Sequence, residues 1–253
     1  MAHMTMEEFS RAMGRGDWLL LPLGTTEEHG VHLPLGTDTM IAEHVCREVA
    51  LRCEAVVAPA LPYGLCRSTR NFPGTVSVGF RALEGVVGEV LSECVRHGAR
   101  RIAVISGHGG TAHMEAVRVV GQRLVEEVPG LLLLAIGPDD LPLPWLPGTS
   151  PGMVDGHAGA TETSVLLAIH PDRVRSDRLA PGAAAQFPAC QALAHPEHAF
   201  PGGVIGDPTS ASGQAGAAVL GYAVTAIVEL LTHATASVPR GASPATEDPP
   251  SGP

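Results

Sequence analysis

The chain contains no lysine: its 16 basic residues are all arginine and face 26 acidic ones, for a net charge of −10. The arginines form no run longer than Arg100-Arg101, so no basic face is available for a nucleic-acid backbone, and small molecules or peptides are the expected partners. Aromatic residues are scarce at 4%, which leaves Ala, Val and Leu to build the core within a hydrophobic share of 45%. A chain of 253 residues can bury a substantial core of that kind, expected as one domain over residues 1–236. Residues 237–253 are rich in Pro, Ser, Gly and Ala without periodicity, and a disordered tail is expected there. Cys46, Cys53, Cys66, Cys94 and Cys190 make an odd set with no CxxC spacing. With no charged leader followed by an apolar segment at the N-terminus, this combination points to a reducing cytoplasm as the expected location. Cys46 and Cys53, seven apart on a helical pattern, read as small core residues. No apolar run approaches the roughly 20 residues of a membrane span, so no membrane anchor is expected.

Against these absences, residues 24–38 stand out. They read Gly-Thr-Thr-Glu-Glu-His-Gly-Val-His-Leu-Pro-Leu-Gly-Thr-Asp and follow directly on the apolar run at 18–23. Carboxylates packed as closely as Glu27, Glu28 and Asp38 raise one another's pKa unless positive charge sits among them, and no lysine can supply it. A divalent metal can. Glu27 and His29, two apart, project to the same side of extended backbone, and Asp38 can fold back to the same point across the turns at Pro34 and Gly36. The stretch reads as a metal-binding loop.

The rest of the chain alternates between strand and helix patterns. Strands are expected at residues 17–23, 55–60, 75–78, 101–106 and 131–136, and helices at 39–51, 81–97, 111–128, 161–169 and 213–232. Such alternation indicates an α/β fold with a mostly parallel sheet covered on both faces. Ligands of such sheets bind beyond the carboxyl ends of the strands. Glu27 and His29 lie just past the first expected strand, and His108, in Gly107-His108-Gly109-Gly110, just past the fourth. The Pro/Gly-rich segment 137–156 is long for a structureless loop. Its portion 141–152, with Trp145 as the one large aromatic, is read either as a lid or subunit-contact loop or as plain surface.

A third stretch, Asp155-Gly-His-Ala-Gly-Ala-Thr-Glu-Thr-Ser164, opens the fifth helix. Glu162 in its first turn can be a simple capping residue, and His157 a hydrogen-bonded loop histidine. His44, His97, His113 and His170 fall at helical or helix-end positions and read as surface or capping groups. His195, Glu197 and His198 read as a solvated loop. His32 reads as a group behind the ligands or a substrate contact rather than a ligand. Asp207, before Pro208, fits a turn as well as a substrate contact.

Four motifs, in this order, resemble those of the creatininase (creatinine amidohydrolase) family: Thr-Glu-Glu-His-Gly-Val-His-Leu-Pro-Leu-Gly-Thr-Asp, Ser-Gly-His-Gly-Gly, His-Ala-Gly-Ala-Thr-Glu-Thr-Ser and Gly-Val-Ile-Gly-Asp-Pro-Thr. The resemblance spans roughly residues 19–216. It implies a three-layer α/β/α fold, two divalent metal ions per active site, hydrolysis of amide carbon-nitrogen bonds and commonly a hexamer. Carried over residue by residue, it makes Glu27 a ligand of one metal, His29 a ligand of the other, Asp38 the bridging carboxylate and His108 the imidazole on the first metal. Creatinine-hydrolysing members carry a glutamate two residues after the matching histidine, where this chain has Gly110. Glu162 is the candidate for the missing ligand, and the departure weakens creatinine as substrate.

Imidazole and carboxylate ligands without thiolate suit Zn, Mn, Fe or Ni. Two such ions sharing one water would bring its pKa toward neutrality and polarise the amide carbonyl, with His157 the expected proton donor to the leaving nitrogen. The expected function is that of a dinuclear-metal amidohydrolase using a metal-bridged hydroxide on a small cyclic or linear amide or a formamide. The alternatives are a peptidase trimming a short precursor peptide, as in the mycofactocin-maturation branch of the family, and a non-catalytic metal- or small-molecule-binding protein.

Overall fold

The structure, a computed structural model, describes residues 1–141, 155–183, 185, 187–188 and 190–237. Among these residues four parallel strands make one sheet: β1 (Trp18–Leu23), β2 (Ala55–Val57), β3 (Arg101–Ser106) and β4 (Leu132–Ile136), in the spatial order β2-β1-β3-β4. All six residues of β1 are buried, as expected of a parallel strand covered on both faces. Pro22 sits in this strand even though it has no N–H to give. Its carbonyl accepts from Leu61 N on the β2 side, where β2 has already ended at Val57, so no ladder bond is lost there. Leu19, Leu21 and Leu23, directed to the opposite face from Trp18 and Leu20, keep their pairing with β3.

Among the described residues six α-helices cover the two faces. On one lie α1 (Met6–Arg15), α3 (Phe80–Arg96) and α4 (Thr111–Glu127), packing Met13, Leu83, Leu91, Val117 and Leu124 against Leu19, Leu21, Ile102 and Val104. On the other lie α2 (Thr37–Ala50), α5 (Ala160–Ile169) and α6 (Gly213–Ala236), whose Val45, Val49, Val165, Val219, Val224 and Ile227 meet Trp18, Leu20, Ile105 and Ile136. The three-layer α/β/α architecture is as expected from the alternation, with every described strand pair parallel.

Several local expectations differ. Residues 75–78 are not a strand, because their backbone bonds go to two separate segments: Val76 N donates to Thr26 O and Val78 N to Gly64 O. The stretch serves instead to tie down the loop after β1. The strand at 55–60 stops at Val57, ahead of Pro59. Helix α2 begins at Thr37, so Asp38 lies inside its first turn. Helix α1 was not anticipated, although its signal is present in Thr5-Met-Glu-Glu8: Glu8 N donates to Thr5 Oγ1 while Thr5 N donates to Glu8 Oε2, a capping box. Helix α6 is long and apolar enough to cross a membrane by length and composition, contrary to the expectation that no segment is. Its buried stripe packs on the sheet, α2 and α5. Trp145 and the proposed loop at 141–152 lie outside the described residues apart from Leu141, which is buried; the tail at 237–253 does so apart from Ser237, the C-cap of α6.

Helix α6 carries two glycines whose surroundings predict opposite effects. A Cβ at Gly216 would overlap the Ser164 backbone of α5, whereas nothing lies within 4 Å of one at Gly221. Gly221→Ala should therefore stabilise the protein by about 0.5–1 kcal/mol through helix propensity. Gly216→Ala should destabilise it by about 1–3 kcal/mol because two helices are forced apart. Urea denaturation midpoints of the two variants check the signs.

Candidate metal centre

The loop after β1 is closed by Glu27 N donating to Leu35 O and by Thr37 donating to Pro34 O through both its amide and its hydroxyl. These bonds return the chain to the sheet end, where α2 begins. Asp38 is there almost fully buried at a helix N-terminus, a position that favours negative charge. The adjacent β3 ends level with β1, Leu23 pairing with Ser106, and places His108 beside this loop. The two segments approach so closely that a Cβ on Gly107 would overlap the Asp38 carbonyl.

The side chains gather in two lobes joined by Asp38. In one, His108 Nδ1 lies 2.9 Å from Glu27 Oε2 and 3.3 Å from Asp38 Oδ2. In the other, His29 Nε2 lies 3.2 Å from Asp38 Oδ1 and 3.6 Å from Glu162 Oε2. Glu27, His29, Asp38, His108 and Glu162 are thus brought together from three separate stretches. Ligand atoms about 2.1 Å from one ion at near-tetrahedral angles stand about 3.4 Å apart, so the four imidazole–carboxylate spacings are close to those a Zn-class ion needs. The donor set of carboxylate oxygen and imidazole nitrogen fits such ions. A Cβ at Gly110 would run into the His108 ring, so this position is kept clear for the imidazole.

Helix α5 is held so that Glu162 faces His29. Asp155 accepts from Ala160 N at 2.7 Å and Thr161 N at 3.0 Å, capping the helix and leaving Glu162 free of that task. Glu162 Oε2 accepts one backbone bond, from Ala158 N at 2.7 Å ahead of the helix, and this bond coexists with proximity to His29. Ala158 adopts φ 54°, a left-handed conformation that costs a non-glycine residue about 1–2 kcal/mol. It turns its N–H toward Glu162 and sets His157 against His29, ring centroids 4.4 Å apart.

Other expected residues fall in different roles. His32 is buried with Nε2 3.0 Å from Thr163 Oγ1, tying the loop to α5 behind Glu162. His113 is not a surface group: it is fully buried beneath His108, edge to face at 5.0 Å, and accepts from Leu65 N on Nδ1. Burial, reinforced by His108, pushes its pKa down to about 3, so it stays neutral. Asp207 caps the turn Pro208–Ser210 by accepting from Thr209 N and Oγ1. His97 and His170 are helix C-caps. His195 and His198 are solvent-exposed, as expected of a solvated loop, and with Glu197 they are drawn together on the turn Pro196–Ala199.

Three participants were not singled out from sequence, and a fourth, Glu28, takes a different place from the crowded carboxylates it was grouped with. Thr25 donates to Asp38 Oδ2 and Thr69 to Glu27 Oε1, each supporting a carboxylate from behind. Cys66, fully buried, offers its sulfur within 4.8 Å of the Glu27 and His108 ligand atoms. Glu28 turns away from the two lobes toward His157, whose Nε2 donates to the Glu28 carbonyl at 2.7 Å and lies 3.2 Å from Oε1. That carboxylate oxygen has no hydrogen bond of its own, so a charge on His157 is its main compensation. No spacing rule marks these residues, because they meet the cluster only through loops brought together by the fold.

Among the described residues no arginine pairs with Glu27, Asp38 or Glu162; their partners are histidines. Burial opposes charge on His29, but Asp38, Glu162 and Glu27 outweigh it and raise its pKa to about 10. His29 accordingly carries both ring protons, with Nδ1 facing Glu27 O and Nε2 facing Asp38 Oδ1. His108 is raised well above the ordinary range in the same way, its burial outweighed by Asp38 and Glu27. Burial raises the Glu162 carboxyl. The cluster demands cations: protons meet the demand in the metal-free chain, and divalent ions would meet it by displacing them.

The sequence matches the family profile described as Creatininase: Creatinine amidohydrolase over residues 2–231. It is similar to the mycofactocin precursor peptide peptidase of Mycobacterium tuberculosis (strain CDC 1551 / Oshkosh), 38% identical over 215 residues that cover 78% of each chain. Creatinine amidohydrolase of Pseudomonas putida is 30% identical over 245 residues, covering 90% of this chain and 94% of that one. A crystal structure of creatinine amidohydrolase (creatininase) superposes with a TM-score of 0.82 at 27% identity, over 92% of this chain and 96% of that one. Further creatininase structures are described as a Mn form and, for a mutant, as Zn-Zn type.

A pH dependence follows for the metal-free chain. The folded pKa of His29 is raised from 6.5 to about 10, so its stabilising charge is fully present below about 6.5 and is lost as pH rises through about 10. Thermal melts of chelator-treated protein should fall in midpoint across that window, and His29→Gln should flatten the decline. A midpoint that rose with pH there would contradict this electrostatic account.

Proposed function

The chain belongs to the creatininase family and is a hydrolase of carbon-nitrogen bonds, and on that premise we propose that it is a dinuclear-metal amidohydrolase acting on a short peptide. The observation that carries the metal reading is Asp38, whose two carboxylate oxygens face two different imidazoles in two separate lobes. The peptide reading is supported by the higher identity to the precursor peptide peptidase, 38% against 30% for creatinine amidohydrolase. Gly110 supports it as well, since creatinine-hydrolysing members resemble one another in carrying glutamate there. The completeness of the cluster speaks against a non-catalytic binding protein.

Glu27, Asp38 and His108 would hold one ion, and His29, Asp38 and Glu162 the other. Two divalent ions held there would polarise the amide carbonyl and lower the pKa of a shared water toward neutrality. The protein's own groups do the rest. The Glu27 carbonyl holds the proton of His29 on Nδ1, which leaves Nε2 as the ligand atom. The Glu28 carbonyl likewise fixes a proton on Nε2 of His157, so Nδ1 is the atom that can give or take one. Burial and the neighbouring His29 oppose charge on His157, but Glu28, Glu162 and Glu27 prevail and raise its pKa, which favours the protonated ring. As the water oxygen bonds to the amide carbon and the carbon-nitrogen bond breaks, Nδ1 of His157 supplies a proton to the leaving nitrogen. The products are a carboxylate and an amine.

Purified protein should contain close to two equivalents of divalent metal per chain by elemental analysis, and Asp38→Ala should lose both because it touches both lobes. Glu162→Gln should lose one and nearly all turnover while melting close to wild type. A fully metallated, active Glu162→Gln protein would show that the ligand is misassigned. His157→Gln should keep its metal and slow turnover by about 10²–10⁴-fold. Mass spectrometry of a short-peptide panel run beside creatinine tests the substrate: creatinine opening without any peptide cleavage would overturn the peptide reading.

A further inference from the structure

Outside the buried cluster, His195, Glu197 and His198 each offer a ligand atom, all within 4.8 Å of one another. His195 Nδ1 stands 3.0 Å and His198 Nε2 3.9 Å from the same oxygen, Glu197 Oε1. The two imidazoles are stacked, centroids 5.2 Å apart and 15° from parallel. Glu197 does not swing freely, because Asn71 Nδ2 donates to its other oxygen at 2.7 Å and to Ala194 O at 3.3 Å. This is the pattern by which a hydrogen bond from behind aims a carboxylate at a metal. The turn is closed by His198 N donating to His195 O and Phe200 N to Glu197 O.

We propose that this turn is a third divalent-cation site of Zn class, formed by His195 Nδ1, Glu197 Oε1 and His198 Nε2 and completed by water. Two imidazoles and one carboxylate with open positions make a donor set suited to Zn, and poorly suited to Mg or Ca, which take oxygen ligands. No ligand atom is shared with the buried cluster. The turn runs straight into Phe200, which is fully buried and edge-on to His157 at 6.3 Å. An ion there pins the turn and with it one wall of the buried site.

The test is zinc content after equilibrium dialysis of the full chain against a small molar excess of zinc. Wild type should retain one equivalent more than the His195→Ala/His198→Ala double variant and one more than Glu197→Gln. Both histidines are mostly exposed, so the variants should fold. Equal zinc in wild type and variants overturns the site. The comparison is a difference, so it holds whatever number of ions the buried cluster takes, and the two readings fail separately. Amide hydrogen exchange at Phe200 should slow on zinc addition in wild type and not in the double variant; exchange indifferent to zinc in wild type overturns the pinning.

Discussion

The whole site depends on one buried carboxylate shared between two imidazoles. Asp38 is held by three independent constraints: the N-terminus of α2, the Thr25 hydroxyl, and the glycine at 107 that lets the end of β3 lie against its carbonyl. Each of its oxygens then faces a different ring, His29 on one side and His108 on the other. Because β1 and β3 are neighbours in register, their following loops leave the sheet side by side, and the metal-type residues of both converge without any long excursion.

Around that carboxylate the protein buries more negative charge than it can neutralise with its own fixed cations. An arginine in this place would be permanently charged and would compete with a metal, whereas histidines change their proton count and can give way. Among the described residues the partners of these carboxylates are histidines and not arginines, in keeping with this logic. The supporting groups are neutral donors, Thr25 and Thr69, which steady the carboxylates without adding charge.

The entrance to α5 shows how the second lobe is built. Asp155 takes the capping bonds, Ala158 accepts a strained left-handed conformation, and His32 braces Thr163 from the loop after β1. Together they place His157 and Glu162 against His29 from a segment more than a hundred residues away in sequence. Strain of this kind is sustained by surrounding packing: Ala158 lies in a small apolar cluster with Leu33, Leu166, Val174 and Val204, apart from the two main cores.

Sequence alone determined the alternation of elements, the two covered faces of the sheet and the segments that carry chemistry, because these follow from hydrophobic period and from strand ends. Strand ends and concentrated polar residues also pointed to Glu27, His29, Asp38 and His108, whereas Glu162 read equally well as a helix cap and became a candidate only through the family resemblance. It could not say that residues 75–78 would brace a loop instead of joining the sheet, since their bonding partners at Thr26 and Gly64 lie far off along the chain. Nor could it separate His113, buried under His108, from a surface helix position, or reveal that Glu28 serves His157, that Cys66 stands beside Glu27, and that His195, Glu197 and His198 share one turn with Asn71 behind them. Those are contacts between segments, and a local pattern of apolar and polar residues carries no information about which distant backbone will lie opposite. Only the tertiary structure decided them, by fixing where each loop crosses the end of the sheet.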